Sequence, residues 1–280
     1  MSRVALSSST MRLVKKIENG EFILPGIPET AEKIRLSIRD ENANVNDLTY
    51  LIEQDPVLSA RIVSMANCPA LRTAVKINGV KNAVSRMGIG FAGNAALGLA
   101  MEQAFRAINP VIAKEMNHHW HYTNLVANAA IIIAKTIKTV LVEDVMLAAL
   151  LHHVGALALL KYADSDEELS THIEERKIMI REASGMVGDF AICVWDLPEQ
   201  YSSLARDIHD FGGVKDVSML VHIIRAAICL VGVKYKVPMQ LPEWDNIPSF
   251  GILGLSTDPK SVDVQELMAK FVGKNVLLNV

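Results

Sequence analysis

Apolar residues recur along this chain at intervals of three and four, and nowhere do they alternate with polar residues over the length of a strand. That spacing limits the fold to packed helices, because only a 3.6-residue period brings such positions onto one face. Leu13, Val14 and Ile17 begin the pattern and Gly20 supplies a left-handed stop. Ala31, Ile34 and Ile38 repeat it, followed by Leu48, Leu51 and Ile52, and then Ala83, Val84 and Met87 with Gly88 as the next stop. Start signals agree: Asn44 has Asp47 three residues on, as in a capping box, and Asp55-Pro56 pairs a capping carboxylate with a first-turn proline. Further helices are expected at 90–105, 110–138, 178–195, 199–210, 217–231 and 261–274, with a turn-rich segment at 238–259. One more opens at Val142, runs through Leu151 and carries His152 and His153. Adjacent positions on a helix point about 100° apart, so at most one of these two rings is expected to enter a pocket.

Composition sharpens the class. Half of the 280 residues are hydrophobic but only 5% are aromatic, so the core must be built from Leu, Ile, Val, Ala and Met. With 28 basic against 31 acidic residues the net charge is −3, which offers no field for a polyanion; nucleic acid is not an expected partner. The N-terminus carries no apolar run followed by small residues, so a cytoplasmic location is expected. Cys68, Cys193 and Cys229 are odd in number and form no C-x-x-C pair, and they read as structural thiols. The most apolar stretch, Val145 to Leu160, is interrupted by the histidine pair and falls short of the ~18–20 residues of a bilayer span, so no membrane association is expected. Met87-Gly88-Ile89-Gly90 does not follow a strand and is no nucleotide fingerprint, and no serine sits in a Gly-x-Ser-x-Gly elbow.

Five local patterns occur in order: Leu24-Pro25-Gly26-Ile27-Pro28; Asp55-Pro56 opening a segment that closes on Ala66-Asn67; Ile77 to Gly88; Leu150-Leu151-His152-His153-Val154-Gly155; and Trp195-Asp196-Leu197-Pro198. Together they resemble the HDOD family of bacterial signalling proteins, and the resemblance covers nearly the whole chain. It implies an all-α, multi-helix HD-like bundle, with an HDOD helical domain over 1–212 (core motifs at about 22–212) and a helical extension over 213–280 packing on the same unit. It also implies signal transduction in place of turnover, since an HD hydrolase needs histidines and carboxylates converging on metal ions. Here the His-Asp pair reads His152-His153, and an imidazole cannot supply the bridging carboxylate. Matching Trp120 and Ala127 to the family pattern puts Tyr122 at the first ligand position, whereas a shift of one residue puts His121 there. Ala227 stands where a last aspartate is expected, Ser184 occupies a position often taken by histidine, and His209 is retained.

The expected remnant pocket is therefore Tyr122, His152, His153 and Ala227, with no catalytic residue, no metal and no cofactor. The expected function is a non-catalytic regulatory module that binds partner proteins or a small ligand. The competing reading is a metal-dependent phosphohydrolase acting on a nucleotide or cyclic dinucleotide, with His121, His152, His153 and His209 as its ligands. His118 and His121, three apart, share a helix face. A mean hydropathy of +0.24 leaves room for a homo-oligomer or another covering partner.

Overall fold

The computed structural model describes residues 6–67, 76–212, 217–236 and 241–271, and these are helical throughout, with no strand among them. The first part contains α1 (Ser8–Glu18), α2 (Glu29–Arg39), α3 (Val45–Glu53), α4 (Pro56–Ala66), α5 (Val80–Met87) and α6 (Ile89–Glu102). The centre contains α7 (Pro110–Ile137), α8 (Val142–Leu151), α9 (Val154–Asp164), α10 (Glu167–Thr171), α11 (Ile173–Val194) and α12 (Glu199–Asp207). After these come α13 (Met219–Tyr235), a 3-10 turn (Trp244–Asn246), α14 (Pro248–Ile252) and α15 (Val262–Ala269). Cys68 and the last residues of the expected C-terminal helix lie outside the described residues.

The caps act as their sequences require. Asn44 accepts from the Asn46 and Asp47 amides while Asp47 accepts from the Asn44 amide, and Asp55 accepts from Val57 (2.8 Å) and Leu58 (3.0 Å) ahead of α4. Boundaries differ from the expectation at several places, among them the helices expected at 199–210 and 217–231, which run Glu199–Asp207 and Met219–Tyr235. The helix expected from Asn78 starts at Val80 behind Gly79, and the one expected at 90–105 ends at Glu102. The helix expected from Ile178 begins at Ile173, with only His172 between it and α10, a short separate helix capped by Asp166. The helix entered at Val142 stops at Leu151 and restarts at Val154, so the histidine pair forms a corner between two helices.

Packing is layered around α7 and α8. α6 lies against α8 and α2; α7 against α8, α9 and α13; and α11 against α9 and α12. Segment 142–164 is long and apolar enough by composition to cross a bilayer, yet 83% of its most apolar window is buried inside the fold. Its apolarity is that of a buried core segment. Gly155 marks the closest approach: a Cβ there would lie 1.9 Å from the Ser184 carbonyl oxygen of α11.

The motifs read from the sequence meet in space. The Trp195 indole donates to the Pro25 carbonyl (3.1 Å), which joins the proline connector to the end of α11. Next to it Asp196 takes a left-handed backbone (φ 50°), and its carbonyl accepts from Arg35 and Arg39, both at 2.9 Å. The Asn67 side chain donates to the Ile77 carbonyl and accepts from the Ile77 amide, both at 2.8 Å, and so closes the segment between α4 and α5. These bonds are structural: each satisfies backbone groups of the connecting segments that have no partner within a helix.

Candidate functional site

Two polar concentrations stand inside this frame. The first is a histidine cluster at the corner between α8 and α9. Because the helix breaks at His152, the His152 and His153 rings do not diverge. They stack with centroids 4.4 Å apart and planes 27° apart, and both rings join the cluster. The expectation that only one of them could enter a pocket is thereby corrected; it assumed an unbroken helix. Tyr122 on α7 lies 5.3 Å from His153 and 6.2 Å from His152, ring to ring. His209, just after α12, comes within 6.1 Å of His153. His119 completes the group, its Nδ1 3.5 Å from that of His153.

His119 was not among the expected residues, although its helix carried the signal. Met116, Thr123, Val126 and Ala130 are buried at spacings of three and four, and position 119 belongs to that stripe whereas 118 and 121 do not. His118 and His121 are exposed, and His121 lines a different cavity, near Arg61. The set His121, His152, His153 and His209 is thus not brought together. Ala227 is fully buried in α13 between Arg225 and Cys229, and Cys229 is the buried thiol expected from the sequence. Arg225 donates to the Asp207 carbonyl (2.6 Å), and Ser184, on α11, is buried beneath Gly155.

Electrostatics keep the cluster neutral. Burial lowers the His152 pKa to about 4, against a hydrogen bond from Nδ1–H to the Ala149 carbonyl (2.6 Å) that favours the protonated ring. Burial likewise pushes His153 well below the ordinary histidine value, helped by the neighbouring rings, and lowers His119. Burial raises Tyr122, and it pushes the Cys229 thiol up to about 12. The rings are therefore imidazoles, not imidazolium ions, at neutral pH.

Neutral imidazoles can ligate a metal, but this donor set does not fit the centre of an HD hydrolase. Among the described residues no group of three or more His, Cys, Asp or Glu side chains is disposed to hold one ion. Glu115 acts electrostatically on His119, and Asp207 and Asp210 on Arg225, but among the described residues none of these carboxylates groups with the histidines as a metal site. The Arg225 guanidinium, within electrostatic reach of His209, opposes a further cation.

The HDOD domain model matches residues 24–211, well over half of the sequence. The chain belongs to the HDOD domain family. Among solved structures, the HDOD fold here resembles a protein from Shewanella amazonensis SB2B provisionally named a metal-dependent phosphohydrolase. Identity is 24% and the TM-score 0.77, over 94% of this chain and 98% of that one. An HDOD domain protein of unknown function from Geobacter sulfurreducens matches at 21% identity and TM-score 0.69, over 97% and 99%. A protein from Marinobacter aquaeolei VT8, provisionally named for signal transduction, matches at 21% and 0.61, over 91% of this chain and 59% of that one. At these identities the likeness is one of fold alone. No curated protein matches the sequence.

Proposed function

We propose that this HDOD protein is a non-catalytic signal-transduction module that works in the cytoplasm by binding partner proteins, its histidine cluster being the inert remnant of a hydrolytic centre. The observation that carries the reading is the cluster's chemistry. His153 occupies the position at which an HD enzyme presents a carboxylate, and four neutral imidazoles, a tyrosine and a buried guanidinium surround the place where metals would sit. Such a set offers no anionic ligand to bridge two metal ions, so it does not match the centre that activates water and balances the charge of a transferring phosphoryl group. Membership of the HDOD family agrees with this role. Unpaired Cys193 and Cys229 suit a reducing compartment.

Elemental analysis by plasma mass spectrometry, with hydrolysis assays on nucleotides and cyclic dinucleotides in added manganese, tests the proposal. Less than a tenth of an equivalent of metal and no turnover above buffer is the expected outcome. One or two metals per chain with chelator-sensitive turnover would overturn it in favour of a phosphohydrolase.

A further inference from the structure

The second polar concentration lies away from the histidines. A cavity of about 660 Å³ opens between α4, the segment after α6 and the first half of α7. That size falls within the roughly 300–1,000 Å³ of small-molecule sites. Its walls carry five buried polar atoms with no hydrogen-bond partner among the described residues: Nε of Arg61, Oε2 of Glu102, Nε2 of Gln103, Nε1 of Trp120 and Oδ1 of Asn124, of which Glu102 Oε2 is ion-paired with the Arg61 guanidinium. Arg61 and Asn124 are only 7% and 8% exposed. Buried polar atoms are ordinarily paired, so the four around one cavity that lack even an ion-pair partner need a common explanation. The Asn124 amide is not free to turn, because its Nδ2 donates to the Trp120 carbonyl (2.9 Å) and this leaves Oδ1 as the available edge.

Charge and shape narrow the occupant. Arg61 is ion-paired with Glu102, so the two cancel, and Arg106 on the same wall leaves one uncompensated positive charge. The Arg61 guanidinium sits 5.5 Å from the Trp120 ring centroid, giving the cavity a flat, polarisable surface. Three donors and one acceptor beside that surface match a ring with hydrogen-bonding edges. We propose that this cavity is a ligand site for a planar heteroaromatic compound carrying a single negative charge, held by Arg106, Gln103, Trp120 and Asn124. The site shares no residue with the histidine cluster, so the reading of that cluster as inert can fail while this one stands, and the reverse.

The experiment uses the whole chain labelled with ¹⁵N. The Trp120 indole resonance is assigned by its loss in Trp120→Phe and followed during titration with two sets of probes, cyclic AMP and cyclic GMP as phosphodiesters, nicotinate and orotate as carboxylates. One set is expected to shift this resonance with saturation below 1 mM, and calorimetry to show binding weakened about tenfold or more in Arg106→Gln and in Asn124→Leu. His153→Ala is expected to bind as the parent does. Arg106 is exposed, so its variant folds even if Asn124→Leu does not. The site is overturned if no probe in either set moves the Trp120 resonance at 5 mM, or if Arg106→Gln binds with unchanged affinity.

Discussion

Burial of His152 couples the stability of the bundle to pH. Its folded pKa, about 4, lies below the 6.5 of a solvated histidine, so between those values the unfolded chain binds the proton that the native state refuses. Stability is therefore fully present above pH 6.5 and falls as pH drops towards 4, by on the order of 3 kcal/mol for this one ring. His153 and His119 shift in the same direction and add to the effect. Thermal melts between pH 7.5 and 4.5 are expected to show a steep decline in Tm, shallower in His152→Leu; an identical pH profile in that variant would show that the ring is not the coupled group. The histidine pair, His209 and Tyr122 could be picked from the sequence because they sit in or near family motifs. His119 sits in no such motif, and among the three histidines crowded at positions 118, 119 and 121 only the apolar stripe of α7 singles it out.

Among the elements, the crossing of α9 and α11 is the most demanding. With the Ser184 carbonyl oxygen 1.9 Å and the Gly188 amide nitrogen 2.7 Å from where a Cβ would stand, Gly155→Ala can be accommodated only if the helices separate. A loss of about 3 kcal/mol or more is expected in chemical denaturation, at the upper end of overpacking costs because backbone must move. The glycine of the Leu-Leu-His-x-Val-Gly pattern is thus explained by packing, not by turn geometry. Asp55→Ala removes the cap of α4 and is expected to cost about 1 kcal/mol, which a urea titration would resolve. Caps of this kind were legible because a capping side chain and its amides lie within three residues. The break at His152-His153 was not, because Leu150, Leu151 and Ala156 continue the helical apolar pattern across it, no proline interrupts it, and Gly155 stands inside α9 and not at the C-terminal stop of α8.

In the whole molecule, the HDOD match ends at residue 211, yet α13 beyond it is buried without interruption from Leu220 to Val231 and packs on α7 and α8. Cutting the chain after Gly212 would bare the partner faces of α7 and α8, and the fragment 1–212 is expected to aggregate or to lose its cooperative melt; a soluble fragment with the parent's Tm would make residues 213–280 a dispensable appendage. The helical class, most helix starts and the HDOD motifs followed from the sequence alone, because periodicity, capping and proline effects act over fewer than ten residues. Tertiary structure decided that His119 rather than His121 joins the histidine cluster. It alone made stacked neighbours of His152 and His153, and it set Arg61, Gln103, Trp120 and Asn124 around one cavity. Those groupings depend on how α4, α7, α8 and α9 cross, and the crossing angles are set by the packing of many small side chains at once, which no local pattern encodes.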